Sequence, residues 1–157
     1  EHGRVLQVGK PWELYLQTAN RFVADFIGTM NVFRGRVDGA PAGGGLLPLV
    51  TSFGERWRVR PDHAAGGDVS IGVRPESLAL EPGAPAGEAW NSLTGAIVEA
   101  AYLGAVVRYR VQVSEDCDAV ADIHNPDFSA IKKVGDRVTL WFAANRAVLL
   151  PDEAGGR

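Results

Sequence analysis

The chain has 157 residues, enough for one domain or for two small lobes that share a core. Apolar residues make up 46% and the formal net charge is -3 without long runs of one sign, which excludes a disordered polyelectrolyte and argues against nucleic acid as the main partner. A single cysteine, Cys117, excludes an internal disulfide and a cysteine metal cluster, and no apolar run is long enough to cross a bilayer.

Residues 4 to 8 (Arg4-Val5-Leu6-Gln7-Val8) have the composition of a short strand that ends at Gly9. Pro11 suits the first turn of a helix, where its missing N–H is not required, and Glu13 sits near the positive end of that helix. Thr18 can cap a second helix from Ala19 to about Ile27. Phe22, Val23, Phe26 and Ile27 fall on one of its faces, and Gly28 is its natural stop. No apolar signal region follows Glu1-His2-Gly3-Arg4, and a chain that opens directly into a strand is expected to be a piece of a larger protein.

From Asn31 the pattern changes to short alternating runs. Asn31 to Val37 is the first expected strand, Asp38 to Gly45 a glycine- and proline-rich loop, and Leu47 to Ser52 and Arg56 to Arg60 two more strands. Arg56, Arg58 and Arg60 share one strand face, opposite Trp57 and Val59. Such a face guards a sheet edge, or binds an anion or single-stranded nucleic acid with Trp57 as a stacking platform. Pro61 to Gly67 is a turn. Val69, Ile71 and Val73 then alternate with Ser70, Gly72 and Arg74 until Pro75 removes a backbone donor, and Leu78 and Leu80 resume the alternation. An interrupted strand of this kind can serve two small sheets, one on each side. Arg74 and Glu76 would project from one face of extended chain, either paired with each other and nearby backbone or forming a polar site between lobes.

Glu81 to Glu88, rich in Pro, Gly and Ala, separates the lobes. A second set of strands follows. Leu93 to Leu103 leads to a hairpin at Gly104, and Val107, Tyr109, Val111 and Val113 alternate with polar residues. Ala119 to Ile123, Val138 to Phe142 and Arg146 to Leu150 complete the set, with Pro151 onward as a tail. Many short strands with glycine turns predict an all-β chain of small barrels.

Two stretches carry a resemblance. Gly3-Arg4-Val5-Leu6-Gln7-Val8-Gly9-Lys10-Pro11-Trp12-Glu13-Leu14-Tyr15 and Ala19-Asn20-Arg21-Phe22-Val23-Ala24-Asp25-Phe26-Ile27-Gly28-Thr29-Met30-Asn31 resemble the connector that leaves the nucleotide-binding domain of bacterial ABC importer ATPase subunits. Val73-Arg74-Pro75-Glu76 resembles a recurring element of the regulatory domain that follows in such subunits, the transport-associated OB (TOBE) fold. The resemblance implies OB-type barrels over 31–157 in two lobes with a junction near 69–90, and the end of the nucleotide-binding domain with a helical connector over 1–30. It implies a regulatory and dimerisation role, with Arg74 and Glu76 fixing the junction as the candidate regulatory site. Implied partners are the chain's own ATPase domain, a second copy, the membrane permease subunits and a small-molecule regulator, at the cytoplasmic face of the plasma membrane. Asn125-Pro126-Asp127-Phe128, Val134 to Val138, Trp141 and Val148-Leu149-Leu150 look most like polyamine or iron-type importers.

The sequence holds no Gly-x-x-x-x-Gly-Lys-(Ser/Thr), so no phosphate loop is present and the chain is expected not to hydrolyse ATP. ATP and magnesium would belong to a domain outside it, and no cofactor is expected here. His2, His63 and His124 lack a second ligand at helical or hairpin spacing, and Asp122, His124, Asp127 and Ser129 lie on one loop without a scaffold for a triad. Two rival readings remain open at this stage. One is a free-standing small-ligand or oxyanion-binding OB-fold protein. The other is an OB-fold for single-stranded nucleic acid.

Overall fold

A computed structural model describes residues 30–61, 65–80 and 89–150. The expected N-terminal strand and connector helices lie outside these residues, as do Glu81 to Glu88 and the tail. Among the described residues nine strands form two curled antiparallel sheets. β1 (Asn31–Val37), β2 (Leu47–Thr51), β3 (Arg56–Val59), β4 (Asp68–Val73) and β9 (Ala147–Leu150) form the first sheet, in the order β3-β2-β1-β4-β9. β5 (Trp90–Leu103), β6 (Val106–Ser114), β7 (Cys117–His124) and β8 (Arg137–Ala143) form the second, in the order β7-β6-β5-β8. The all-β, OB-type architecture expected from the strand pattern is what the described residues adopt.

Alternation sets which side chains go inward. Phe33 in β1, Leu47 and Leu49 in β2, Trp57 and Val59 in β3, and Ile71 and Val73 in β4 are buried. In the second sheet Leu93, Ile97, Val107, Tyr109, Val111, Leu140 and Phe142 do the same, and all of these residues belong to one continuous core. Trp57 is the link between sheets. Its ring meets Phe33 at 5.2 Å and Phe142 of β8 at 4.9 Å, both edge to face, and its Nε1 donates to the Ser92 carbonyl at 2.7 Å.

The two halves repeat one plan. Asn31-Val32-Phe33-Arg34-Gly35-Arg36-Val37 and Asn91-Ser92-Leu93-Thr94-Gly95-Ala96-Ile97 share asparagine, apolar, glycine and apolar residues at matching positions. β1 lies on β4 with Asn31 opposite Val73 and Gly35 opposite Val69; β5 lies on β8 with Asn91 opposite Phe142 and Gly95 opposite Val138. Each half then makes a 3-10 turn, Pro75–Ser77 in one and Ala144–Arg146 in the other.

After those turns the closing segments cross over. β9 does not return to β8; it pairs with β4, Gly72 opposite Val148. Ala79, just after the first turn, pairs with Trp141 of β8 through hydrogen bonds of 2.9 and 2.8 Å. The chain interrupted at Pro75 therefore serves both sheets, as its alternation suggested. β5 also divides its partners. A bulge between Ile97 and Glu99 interrupts its register with β6, and the Ile97 backbone instead bonds to Gly135 and Asp136 in the turn before β8.

Candidate functional site at the junction of the sheets

Pro75 has no N–H to offer, and its ring fixes φ for the first position of a turn. The chain accordingly leaves the ladder at Val73 and makes the Pro75–Ser77 turn, with Ser77 N–H on the Arg74 carbonyl at 3.0 Å and Leu78 N–H on the Pro75 carbonyl at 3.2 Å. The turn replaces the extended chain expected there. Arg74 is 8% exposed and Glu76 is open to solvent, so the two do not share one environment. Both side chains are engaged with neighbours.

The turn packs on β7. Close by, Arg108 makes a bidentate pair with Asp122 at 2.7 and 2.8 Å across the β6–β7 ladder. The Asp122 carboxylate raises the Arg108 guanidinium above its ordinary value, first by hydrogen bonding and then by charge, and Glu76 adds a smaller push in the same direction. Leu78, 2% exposed, is buried just beyond the turn.

Two asparagines clasp the halves together, and the sequence reading missed them. Asn31 donates from Nδ2 to the Val120 carbonyl at 2.8 Å and accepts the Val120 N–H at 2.6 Å. Asn91 donates to the Arg58 carbonyl at 2.9 Å and accepts the Arg58 N–H at 2.8 Å. Each side-chain amide thus takes the place of a strand backbone at the edge of the other sheet. The signal that could have found them is the twice-used Asn-x-apolar-x-Gly-x-apolar spacing, which is short and shares few identities.

The other residues singled out from sequence take separate places. Arg56, Arg58 and Arg60 are exposed and on one side of β3, with Arg56 3.5 Å from Asp38. Trp57 is 1% exposed, which removes the stacking platform that the single-stranded nucleic-acid reading needs. Asp122 is held by Arg108, while Asp127 accepts the Ser129 N–H at 2.9 Å and hydroxyl at 2.7 Å, which draws its carboxyl below the ordinary range. His124 is exposed at the end of β7; His2 and His63 lie outside the described residues. Among the described residues no group of three or more His, Cys, Asp or Glu could hold a metal ion.

A family model described as TOBE domain matches residues 71–150, the stretch from the middle of β4 through β9. The chain belongs to the TOBE domain family. Its relatives agree with the resemblance read from the connector and from Val73-Arg74-Pro75-Glu76. The spermidine/putrescine import ATP-binding protein PotA of Rubrobacter xylanophilus is 34% identical over 98% of this chain and 40% of its own length. That of Acidothermus cellulolyticus is 36% identical over 89% of this chain and 37% of its own. The Fe(3+) ions import ATP-binding protein FbpC of Rhizobium etli is 36% identical over 70% of this chain and 29% of its own. The TOBE chain therefore spans about two-fifths of the PotA relatives it matches. Among solved structures, the cytoplasmic molybdate-binding protein ModG shares the fold with a TM-score of 0.64 at 16% identity, over 77% of this chain and 96% of ModG.

Proposed function

We propose that this chain is the regulatory and dimerisation domain of an ABC importer ATP-binding subunit for polyamines. The observation that carries the reading is the PotA match, 34% identical over 98% of the chain, connector stretch included. On this reading residues 1–30 end the nucleotide-binding domain and 31–157 form the regulatory domain. ATP and magnesium are held by the preceding domain, which also meets the permease subunits at the inner face of the membrane. The chain itself catalyses nothing. Among the described residues no helix is long and apolar enough to cross a membrane. Arg74 and Glu76 fix the junction, so that a ligand favouring one arrangement of two subunits alters ATP hydrolysis at a distance.

An antibody to this chain, used on source cells, tests the first part: a band much larger than 16.8 kDa is expected, and a band at that mass would favour a free-standing small-ligand binder. Deleting the gene should abolish labelled spermidine uptake; loss of ferric iron uptake alone would reassign the cargo. Sedimentation of the chain should show concentration-dependent association, and a monomer at all concentrations would remove the dimerisation role. Tyr102 and Leu103, 60% and 54% exposed at the tip of the β5–β6 hairpin, are apolar surface suited to such a contact.

A further inference from the structure

We propose that the pocket between β3, the Gly43–Gly44 loop and the Ala144–Arg146 turn binds a small organic oxyanion, a phosphate- or carboxylate-bearing metabolite. The pocket has a volume of about 590 Å³, and Gly43, Gly44, Leu46, Arg58, Arg60 and Asn145 line it together with three alanines. Its chemistry is one-sided. Arg58, Arg60 and Asn145 line it beside glycines, alanines and Leu46, and no carboxylate lines it among the described residues. Along the same strand, Arg56 is paired with Asp38, whereas neither Arg58 nor Arg60 has a side-chain ion pair among the described residues. Guanidinium forks match carboxylate and phosphate oxygens in pairs, which makes this donor set selective for oxyanions over neutral ligands.

The walls are fixed. The Arg58 backbone is clasped by Asn91, Arg60 N–H donates to the Ala144 carbonyl at 3.3 Å, and Ala144 N–H donates to the Ala89 carbonyl at 2.8 Å. The arginines therefore stand on a pinned strand while their charged ends remain exposed. The volume exceeds what a bare phosphate ion fills and lies within the range of small-molecule sites, about 300–1,000 Å³, hence an organic anion.

The internal repeat acts as a control. Asn31 and Asn91 clasp Val120 and Arg58, so these two positions correspond, and two residues further on Asp122 corresponds to Arg60. Around that second location a valine and a carboxylate replace the two arginines, and Glu76 stands where Asn145 does. The halves share the scaffold, but at the second location the arginine present, Arg108, is bound to Asp122, whereas Arg58 and Arg60 carry no such ion pair among the described residues. The inference stands on this pocket alone and is independent of the importer reading.

Titration of the intact chain with glycerol 3-phosphate, citrate and inorganic phosphate at low ionic strength, followed by ¹⁵N NMR, is the test. Saturable shifts are expected at the amides of Gly43, Gly44, Ala89, Ala144 and Asn145 and at Nε of Arg58 and Arg60, weakening with salt. The double substitution Arg58→Gln with Arg60→Gln should weaken binding about tenfold or more, while Arg36→Gln with Arg110→Gln on other exposed strands should leave it unchanged. Shifts that do not saturate, or that fall equally in both double variants, would overturn the site. Inorganic phosphate binding as tightly as the organic anions would overturn the assignment of an organic ligand.

Discussion

Replacing Asn91 by alanine would remove two hydrogen bonds and leave the Arg58 N–H and C=O without partners at a half-buried strand edge. The expected cost is about 1–3 kcal/mol, read from urea denaturation, because an unsatisfied group loses its desolvation energy as well as its bond. Asn91→Asp keeps the acceptor but sets a carboxylate against the Arg58 carbonyl. Its folded pKa should be raised, so the variant's stability is greatest below the unfolded carboxyl value and falls as pH rises through the folded one. Gly95→Ala should be worse than Gly35→Ala. A β-carbon at Gly95 would overlap the Gln112 carbonyl carbon and oxygen, whereas at Gly35 it would lie 2.9 Å from the Val50 oxygen. Such clasps and close approaches are hard to read from sequence, since either asparagine taken alone ahead of an apolar run reads equally well as loop or cap, and only the repeated spacing sets the two apart. Arg74 and Glu76 were expected on one face of extended chain; the turn at Pro75 instead leaves one buried and the other exposed.

At the scale of elements, alternation gave β1, β2, β3 and β6 nearly to the residue, and Pro75 marked the end of β4. What alternation cannot carry is partner choice. β9 follows β8 in sequence yet completes the other sheet, and Ala79 does the reverse. Removing residues 147–150 would strip the outer ladder from β4 and discard Leu149 and Leu150, which are 1% and 2% exposed. Two such side chains are worth about 1.5–3 kcal/mol each, a large part of a typical domain's stability, so the truncated chain is expected not to fold by circular dichroism. Two groups on neighbouring strands also set an alkaline limit. Burial pushes the Cys117 thiol up, with the Asp118 charge adding to it, and burial pushes Tyr109 up against the opposing Lys132 N–H bond. Both keep their protons longer in the folded chain. Their contribution is complete below the unfolded values, the lower of which is roughly 8.5, and is lost as pH rises through the folded ones. Iodoacetamide should accordingly label Cys117 more slowly than an unstructured cysteine at neutral pH.

For the whole molecule, the contacts between the two sheets decide whether the halves behave as one body. Trp57 of the first sheet is held edge to face by Phe142 of the second and bonded to Ser92. With the crossed closing segments, this predicts a single calorimetric transition whose calorimetric and van't Hoff enthalpies agree. Trp57→Ala should cost about 3–5 kcal/mol; a resolved second transition in the parent chain would refute the coupling. The sequence suggested two lobes because its strands come in two sets, and the repeat underlying them was hidden by divergence on the solvent side. The TOBE family was legible from short motifs. The pocket lined by Arg58 and Arg60 was not, because Asn145 and Ala89 reach it only through the fold.

The exchange of closing segments has a further consequence for chain order. Arg34, Ser70 and Leu150 lie abreast on β1, β4 and β9, so the first and last strands of the described fold are separated by one strand, about 10 Å. β1 and β9 run parallel, so a crossover linker of about a dozen residues from residue 150 back to residue 30 would close the chain into a ring, and that ring could be reopened between β4 and β5. Which repeat is synthesised first is then immaterial to the architecture. A circular permutant of this kind should keep the same strand pairing, as amide exchange across β4–β9 would read.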